Sequence, residues 1–125
     1  MAKKVVGGMK YDDGKPRVDL IPPEAIEALA RIYTYGFNGK PATDKFPGKP
    51  TPYLARNWEK GMDWGRVFAA LNRHLWAWWR GEDVDPESGF PHIEHALWNA
   101  VALVTYRLRK IGTDSRPKAS RKARA

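Results

Sequence analysis

An all-α fold of about three main helices is the architecture this 125-residue sequence predicts. Three observations lead there. Apolar residues recur at helical spacing in three segments, 23–35, 63–80 and 91–110. Glycine and proline gather between those segments, chiefly in residues 1–22 and 36–55. A hydrophobic content of 42%, with six Trp and five Tyr, supplies material for a globular core.

Residues 1–22 carry Gly7, Gly8, Gly14, Pro16 and Pro22, too many breakers for regular structure. Lys15-Pro16-Arg17 sets two cations in a stiffened segment, either a solvated arm or a phosphate contact. Val18 and Leu20 are expected to tuck into the body. Pro22-Pro23 suits a first helical turn, with Glu24 near the positive end of the helix. Ile26, Leu29, Ala30 and Tyr33 then mark an apolar stripe, and Gly36 reads as the stop. Glu24, Glu27 and Arg31 lie off that stripe and face solvent.

The stretch 36–55 shows no period and reads as a long loop, a kind of connection that is usually functional or mobile. Arg56-Asn57-Trp58 follows it. Together they offer a cation, an amide and a flat apolar face, the groups that meet a nucleotide's phosphate, base edge and base plane. Equally, Trp58 anchors the loop on the core.

Asp63 is a natural cap for a second helix that ends at Gly81. Trp64, Val67, Phe68, Leu71, Leu75 and Trp78 form its apolar stripe, with Arg66, Arg73 and Arg80 on the opposite side. His74 lies at the stripe's edge, a hydrogen-bonded core residue or a ligand. The third helix starts after Ser88, with Pro91 in its first turn. It has two faces: Ile93, Leu97, Ala100, Val104 and Leu108 on one, His92, His95, Asn99 and Tyr106 on another. Three helices make a thin core, so the bundle is expected to be completed by oligomerisation, as a dimer or tetramer burying Trp76, Trp79 or Trp98.

The turn between the second and third helices is the chemical centre of the sequence. Glu82, Asp83, Asp85 and Glu87 fall within six residues, and His92 and His95 follow at once. Crowded carboxylates need a cation, arginines or water to relieve their repulsion. Oxygen-rich sets suit Mg²⁺, and an imidazole admits Mn²⁺. Neutralisation by Arg73 and Arg80 is the alternative. A calcium loop fails because glycine stands one place late and Pro86 and Pro91 interrupt it. His92-Ile93-Glu94-His95 is one residue short of a zincin pattern.

The absence of cysteine excludes disulfides, thiolate metal sites and a thiol nucleophile. No apolar run reaches ~18 residues and no signal-length segment opens the chain, so a cytoplasmic protein outside the membrane is expected. The net charge of +8 favours polyanions. Much of that charge sits in 113–125, expected to be a disordered basic tail behind one domain of residues 1–112.

The ordered series Gly14-Lys15-Pro16-Arg17, Arg56-Asn57-Trp58-Glu59-Lys60-Gly61, Arg73-His74-Leu75-Trp76, Gly81 to Gly89 and His92-Ile93-Glu94-His95 resembles the phage dATP/dGTP diphosphohydrolase family. That family is similar to the all-α MazG-type nucleotide pyrophosphohydrolases. The resemblance implies cleavage of dGTP or dATP to the monophosphate and pyrophosphate with Mg²⁺ or Mn²⁺, in the host cytoplasm. It implies Lys15, Arg17, Arg56, Asn57, Trp58 and Lys60 for substrate, and Glu82, Asp83, Asp85 and Glu87 for metal. Arg73, His74, His92 and His95 are left for catalysis. The MazG-type Glu-Glu-x-x-Glu and Glu-x-x-Asp helices are not reproduced: the second helix has no acid after Asp63, and the third offers His92 and His95 instead. Two other classes compete: a nucleic-acid-binding accessory protein using the basic tail, and a structural helical oligomer with a calcium-stabilised turn.

Overall fold

The computed structural model describes residues 7–11, 13–50 and 52–118. Among them the regular elements are three α-helices and two short 3-10 turns, with no strand. The helices are α1 (Pro23–Asn38), α2 (Trp64–Trp79) and α3 (His92–Arg109). The 3-10 turns are Val18–Leu20 and Asn57–Lys60. The fold is all-α, as the periodicity predicts.

Each helix end has a local cause. Pro23 occupies the first turn of α1, where a missing N–H costs nothing. Asp63 caps α2, its carboxylate accepting from Gly65 N at 2.9 Å. Gly39 closes α1 in the left-handed region at φ 70°. The expected stop at Gly36 is therefore three residues early: the helix continues through it, and Gly39 N donates to Tyr35 O at 2.7 Å.

Helices α2 and α3 are the main packed pair, and they run antiparallel. Their far ends are tied where Trp64 N donates to Thr113 O (2.9 Å) and Trp64 Nε1 to Ile111 O (3.1 Å). The near ends meet across the acidic turn, where Val84 bridges to Pro91. The core gathers Val67, Ala102 and Tyr106, flanked by Trp58, Trp64 and Trp98. Tyr106 is fully buried, and its hydroxyl donates to Trp58 O at 2.6 Å.

Several expectations are corrected. Val18 and Leu20 are 73% and 71% exposed instead of tucked in, because their turn touches no other helix. Of α1, Ile32 and Tyr35 are the buried pair, and Ile26 is half exposed. Phe68 and Trp78, placed on the buried stripe of α2, face outward. On α3 the faces are reversed: His92, Asn99 and Tyr106 are buried while Ile93, Leu97, Val104 and Leu108 are exposed. The polar line goes inward where His92, His95 and Tyr106 find partners on other elements, while Asn99 donates to His95 O of its own helix at 2.8 Å. Trp98 sits inside against Tyr33 and Trp58, whereas Trp76 and Trp79 are exposed.

The segment after α3 is ordered beyond the expected boundary. Thr113 bridges to Asp63, Ser115 Oγ accepts from Gly65 N at 2.9 Å, and the Arg116 guanidinium lies over the Trp64 ring. Residues 119–125, the rest of the expected basic tail, lie outside the described residues.

Candidate active site

The acidic turn folds around one of its own carboxylates. Ser88 N donates to Asp85 Oδ2 (3.2 Å), while Asp85 N donates to Phe90 O (2.9 Å) and Gly89 N to Asp85 O (2.7 Å). Burial opposes ionisation of Asp85, but the Ser88 bond and the nearby His95 ring outweigh it and hold the carboxyl below its ordinary value. The long loop docks on this turn. Ala42 N donates to Ser88 O (2.8 Å) and Gly48 N to Glu87 O (2.9 Å). Gly89, at φ 74°, lies directly under the Phe46 ring, where a Cβ would clash.

All three histidines of the chain converge beside the turn. His74 and His95 stack face to face, their centroids 4.7 Å apart with planes 13° from parallel. His74 Nδ1 lies 2.8 Å from His92 Nδ1, and His92 Nε2 lies 2.7 Å from Glu82 Oε1. His95 Nε2 is bonded to the buried Ser88 Oγ at 2.7 Å and lies 3.6 Å from Asp85 Oδ2. Burial lowers the His95 pKa to about 4, and the His74 ring adds to that. Burial, then His92, also lowers His74. The stacked pair is neutral at neutral pH.

A cleft of about 1000 Å³ opens in front of this cluster. Its walls bring together Arg56, Asn57, Trp58, Arg73, His74, Asp85, Glu87 and His95, all expected from the sequence. Glu87 is steadied there by the Tyr35 hydroxyl, which donates to Oε2 at 2.9 Å. Burial and then Glu87 push the Tyr35 phenol well above its ordinary value, so it remains a donor. Trp58 combines its two expected roles, packing on Tyr33, Trp98 and Tyr106 while lining the cleft.

Other expected residues stand elsewhere. Lys15 and Arg17 are exposed, away from the cleft walls, and Arg17 pairs with Asp19 at 2.7 Å. Lys60 is exposed and off the cleft wall. The four acids separate: Asp85 and Glu87 face the cleft, Glu82 turns back to His92, and Asp83 is exposed with its carbonyl accepting from His92 N. His92 is buried behind His74. Among the described residues neither Arg73 nor Arg80 pairs with any of these acids.

Sequence reasoning missed Lys49, Tyr35 and Ser88, and it placed Arg66 and Asn99 on helix faces without assigning them to the site. Lys49 lies over the rings of Tyr35 (5.7 Å) and Tyr53 (5.0 Å) and adds a cation to the cleft wall. Its loop has no period, so nothing local pointed to it. Arg66, at least, was marked by its place on the arginine side of α2.

The profile of the dATP/dGTP diphosphohydrolase family, N-terminal region, matches residues 6–116. The chain belongs to this family. It is 30% identical over 89 residues to a dATP/dGTP diphosphohydrolase of Salmonella phage PMBT28. That match covers 71% of this chain and 26% of the relative, so the chain spans about a quarter of that protein's length. No solved structure matches. The span shared with the dATP/dGTP diphosphohydrolase family takes in the whole cleft, the histidine cluster and the Thr113–Arg116 segment tied to α2. No helix of the described residues is long and apolar enough to cross a membrane.

Proposed function

We propose that this chain hydrolyses dGTP or dATP to the monophosphate and pyrophosphate in the cleft between α1, α2 and α3. The family and the name of the phage relative support the substrate class. The observation that carries the reading is the cleft itself, which sets Arg66, Arg73 and Lys49, with Arg56 paired to Glu59 at 2.7 Å, around neutral imidazoles and the carboxylates of Asp85 and Glu87, Asp63 also lining the wall. Cations of this kind meet the charge that spreads over phosphate oxygens as a P–O bond breaks. Trp58 offers a flat face for the base and Asn57 an amide for its edge.

The donor set fits a divalent ion held jointly with substrate. Asp85 and Glu87 line the cleft, yet among the described residues no three histidine or acidic side chains are arranged to hold an ion alone. Mg²⁺ is ordinarily held in that way, by one or two carboxylates plus substrate phosphates. Asp85 and Glu87 are the residues assigned to it, and Mn²⁺ suits the same oxygens. When bound, such an ion neutralises phosphate charge and acidifies water. Ser88 holds Asp85, and Tyr35 holds Glu87, so both carboxylates are oriented before substrate arrives.

The outer surface supports a homo-oligomer, dimer or tetramer. Trp76, Trp79, Ile93 and Val104 are exposed large apolar side chains that a second copy would cover. Equilibrium sedimentation tests that part.

The test of the activity is a panel of ribo- and deoxynucleoside triphosphates with Mg²⁺ or Mn²⁺, read by product chromatography. Pyrophosphate with dGMP or dAMP is expected. Orthophosphate with a diphosphate, or no turnover of any triphosphate, would overturn the proposal.

A further inference from the structure

We infer that Glu82, His92 and His74 form a tautomer-fixing relay that leaves His74 Nε2 as the bare nitrogen accepting the proton of the attacking water. The inference rests on the hydrolase reading above and deepens it. It also moves Glu82 from the expected metal set to a positioning role.

His92 is buried, and both its ring nitrogens are engaged: Nε2 at 2.7 Å from Glu82 Oε1, Nδ1 at 2.8 Å from His74 Nδ1. A carboxylate only accepts, so His92 Nε2 carries the proton of the first bond. A neutral imidazole protonated at Nε2 presents a lone pair at Nδ1. The second bond joins two nitrogens and holds one proton, which must therefore come from His74 Nδ1. Neutral His74 is then left with its lone pair on Nε2. His74 lines the cleft, and its stack on His95 fixes the ring plane. Burial keeps His74 in the neutral form this requires.

The step balances. The water oxygen forms a bond to phosphorus while its proton passes to His74 Nε2. The bond from phosphorus to the bridging oxygen breaks, and its electron pair leaves with pyrophosphate. The His74 imidazolium still donates through Nδ1 to His92, whose other nitrogen faces the Glu82 carboxylate. Positive charge created at the cleft is thus offset two rings away. Glu82 touches neither substrate nor water; it acts through His92.

The test uses full-length protein labelled with ¹⁵N at histidine, without nucleotide, at neutral pH. His74 is expected to show a protonated Nδ1 and a pyridine-type Nε2, and His92 a protonated Nε2 and a pyridine-type Nδ1. Glu82→Ala, at an exposed side chain, is expected to redistribute the His92 protons between tautomers. The same variant should lower kcat at least about tenfold with KM unchanged. The Mg²⁺ concentration giving half-maximal rate should also be unchanged, which a lost metal ligand would raise. His74→Asn should lower kcat about 100-fold or more.

A protonated His74 Nε2 in the wild type overturns the relay, whatever the activity. The stated tautomers with full turnover in His74→Asn overturn the acceptor role. A raised Mg²⁺ requirement in Glu82→Ala returns Glu82 to the metal. If no triphosphate is turned over, the acceptor role falls with the hydrolase reading, and the tautomer pattern shows that the hydrogen-bond chain itself is not what failed.

Discussion

Acid should loosen this protein in a window set by one buried ring. His95 has only 12% of its side chain exposed, and its pKa lies at about 4 instead of 6.5. The facing groups are His74, His92, Asp85 and Lys49, and burial outweighs the attraction of Asp85. The unfolded chain therefore binds a proton at His95 before the folded chain does. Above about pH 6.5 this contributes no difference between the two states. As pH falls from 6.5 towards 4, stability is lost progressively, and below 4 the loss is complete at about 3 kcal/mol. At pH 4.5 the loss from His95 is about 2.5 kcal/mol, a large share of the 5–15 kcal/mol that ordinarily holds a domain together. His74, also held low by burial, adds in the same direction. Urea unfolding followed by tryptophan fluorescence at pH 7.5 and pH 4.5 should show the midpoint dropping by about 1 M. In His95→Asn most of that drop should vanish, leaving the part due to His74. Equal midpoints at the two pH values, or an undiminished drop in the variant, would refute the assignment of a buried neutral imidazole.

Tyr106→Phe removes the buried hydroxyl's bond to Trp58 O, which keeps its second bond from Gly61 N, and melting should show a loss of about 1 kcal/mol. Gly89→Ala forces a Cβ into the Phe46 ring at a positive φ, so the loop 40–49 should detach, at a cost of about 1 kcal/mol or more, and become a faster site of limited proteolysis. Arg73→Ala should leave the melting temperature unchanged, because the side chain is exposed, while lowering kcat/KM for the triphosphate by about 100-fold. Arg73→Lys should recover only part, since an ammonium lacks the planar fork.

The fold was legible where physics is local. Asp63 before an apolar period marks a cap, and the structure uses it. The helical spacing of Trp64, Val67 and Leu71 in the second helix and of Ile93, Leu97 and Ala100 in the third predicts two long helices, although not which side of α3 turns inward. That depended on partners far away in sequence: Tyr106 needs the carbonyl of Trp58, His92 needs Glu82 and His74, and His95 needs Ser88. A histidine line looks exposed on a helical wheel until those partners are known. Gly36 misled for a related reason, since a glycine inside a helix is tolerated when the following residues still gain hydrogen bonds, and Gly39 is the one whose φ is positive.

The site shows the same division. Of the acidic turn read as the chemical centre, Asp85 and Glu87 face the cleft. Its four carboxylates do not share one space: Asp85 and Glu87 reach the cleft, Glu82 turns back to His92, and Asp83 is exposed. Lys15 and Arg17 illustrate the limit of a motif read along the chain: their segment meets no helix, so sequence order did not translate into proximity. Lys49 was invisible for the opposite reason, carried to the cleft by a loop whose docking rests on backbone bonds to Ser88 and Glu87.

Mixing the purified chain with dGTP and Mg²⁺, then separating the products, tests the proposal that this cleft is a diphosphohydrolase site most directly. Equal amounts of dGMP and pyrophosphate, formed about 100-fold or more slowly in His74→Asn and Asp85→Asn, are the predicted result. An intact nucleotide, or dGDP with orthophosphate, would contradict it.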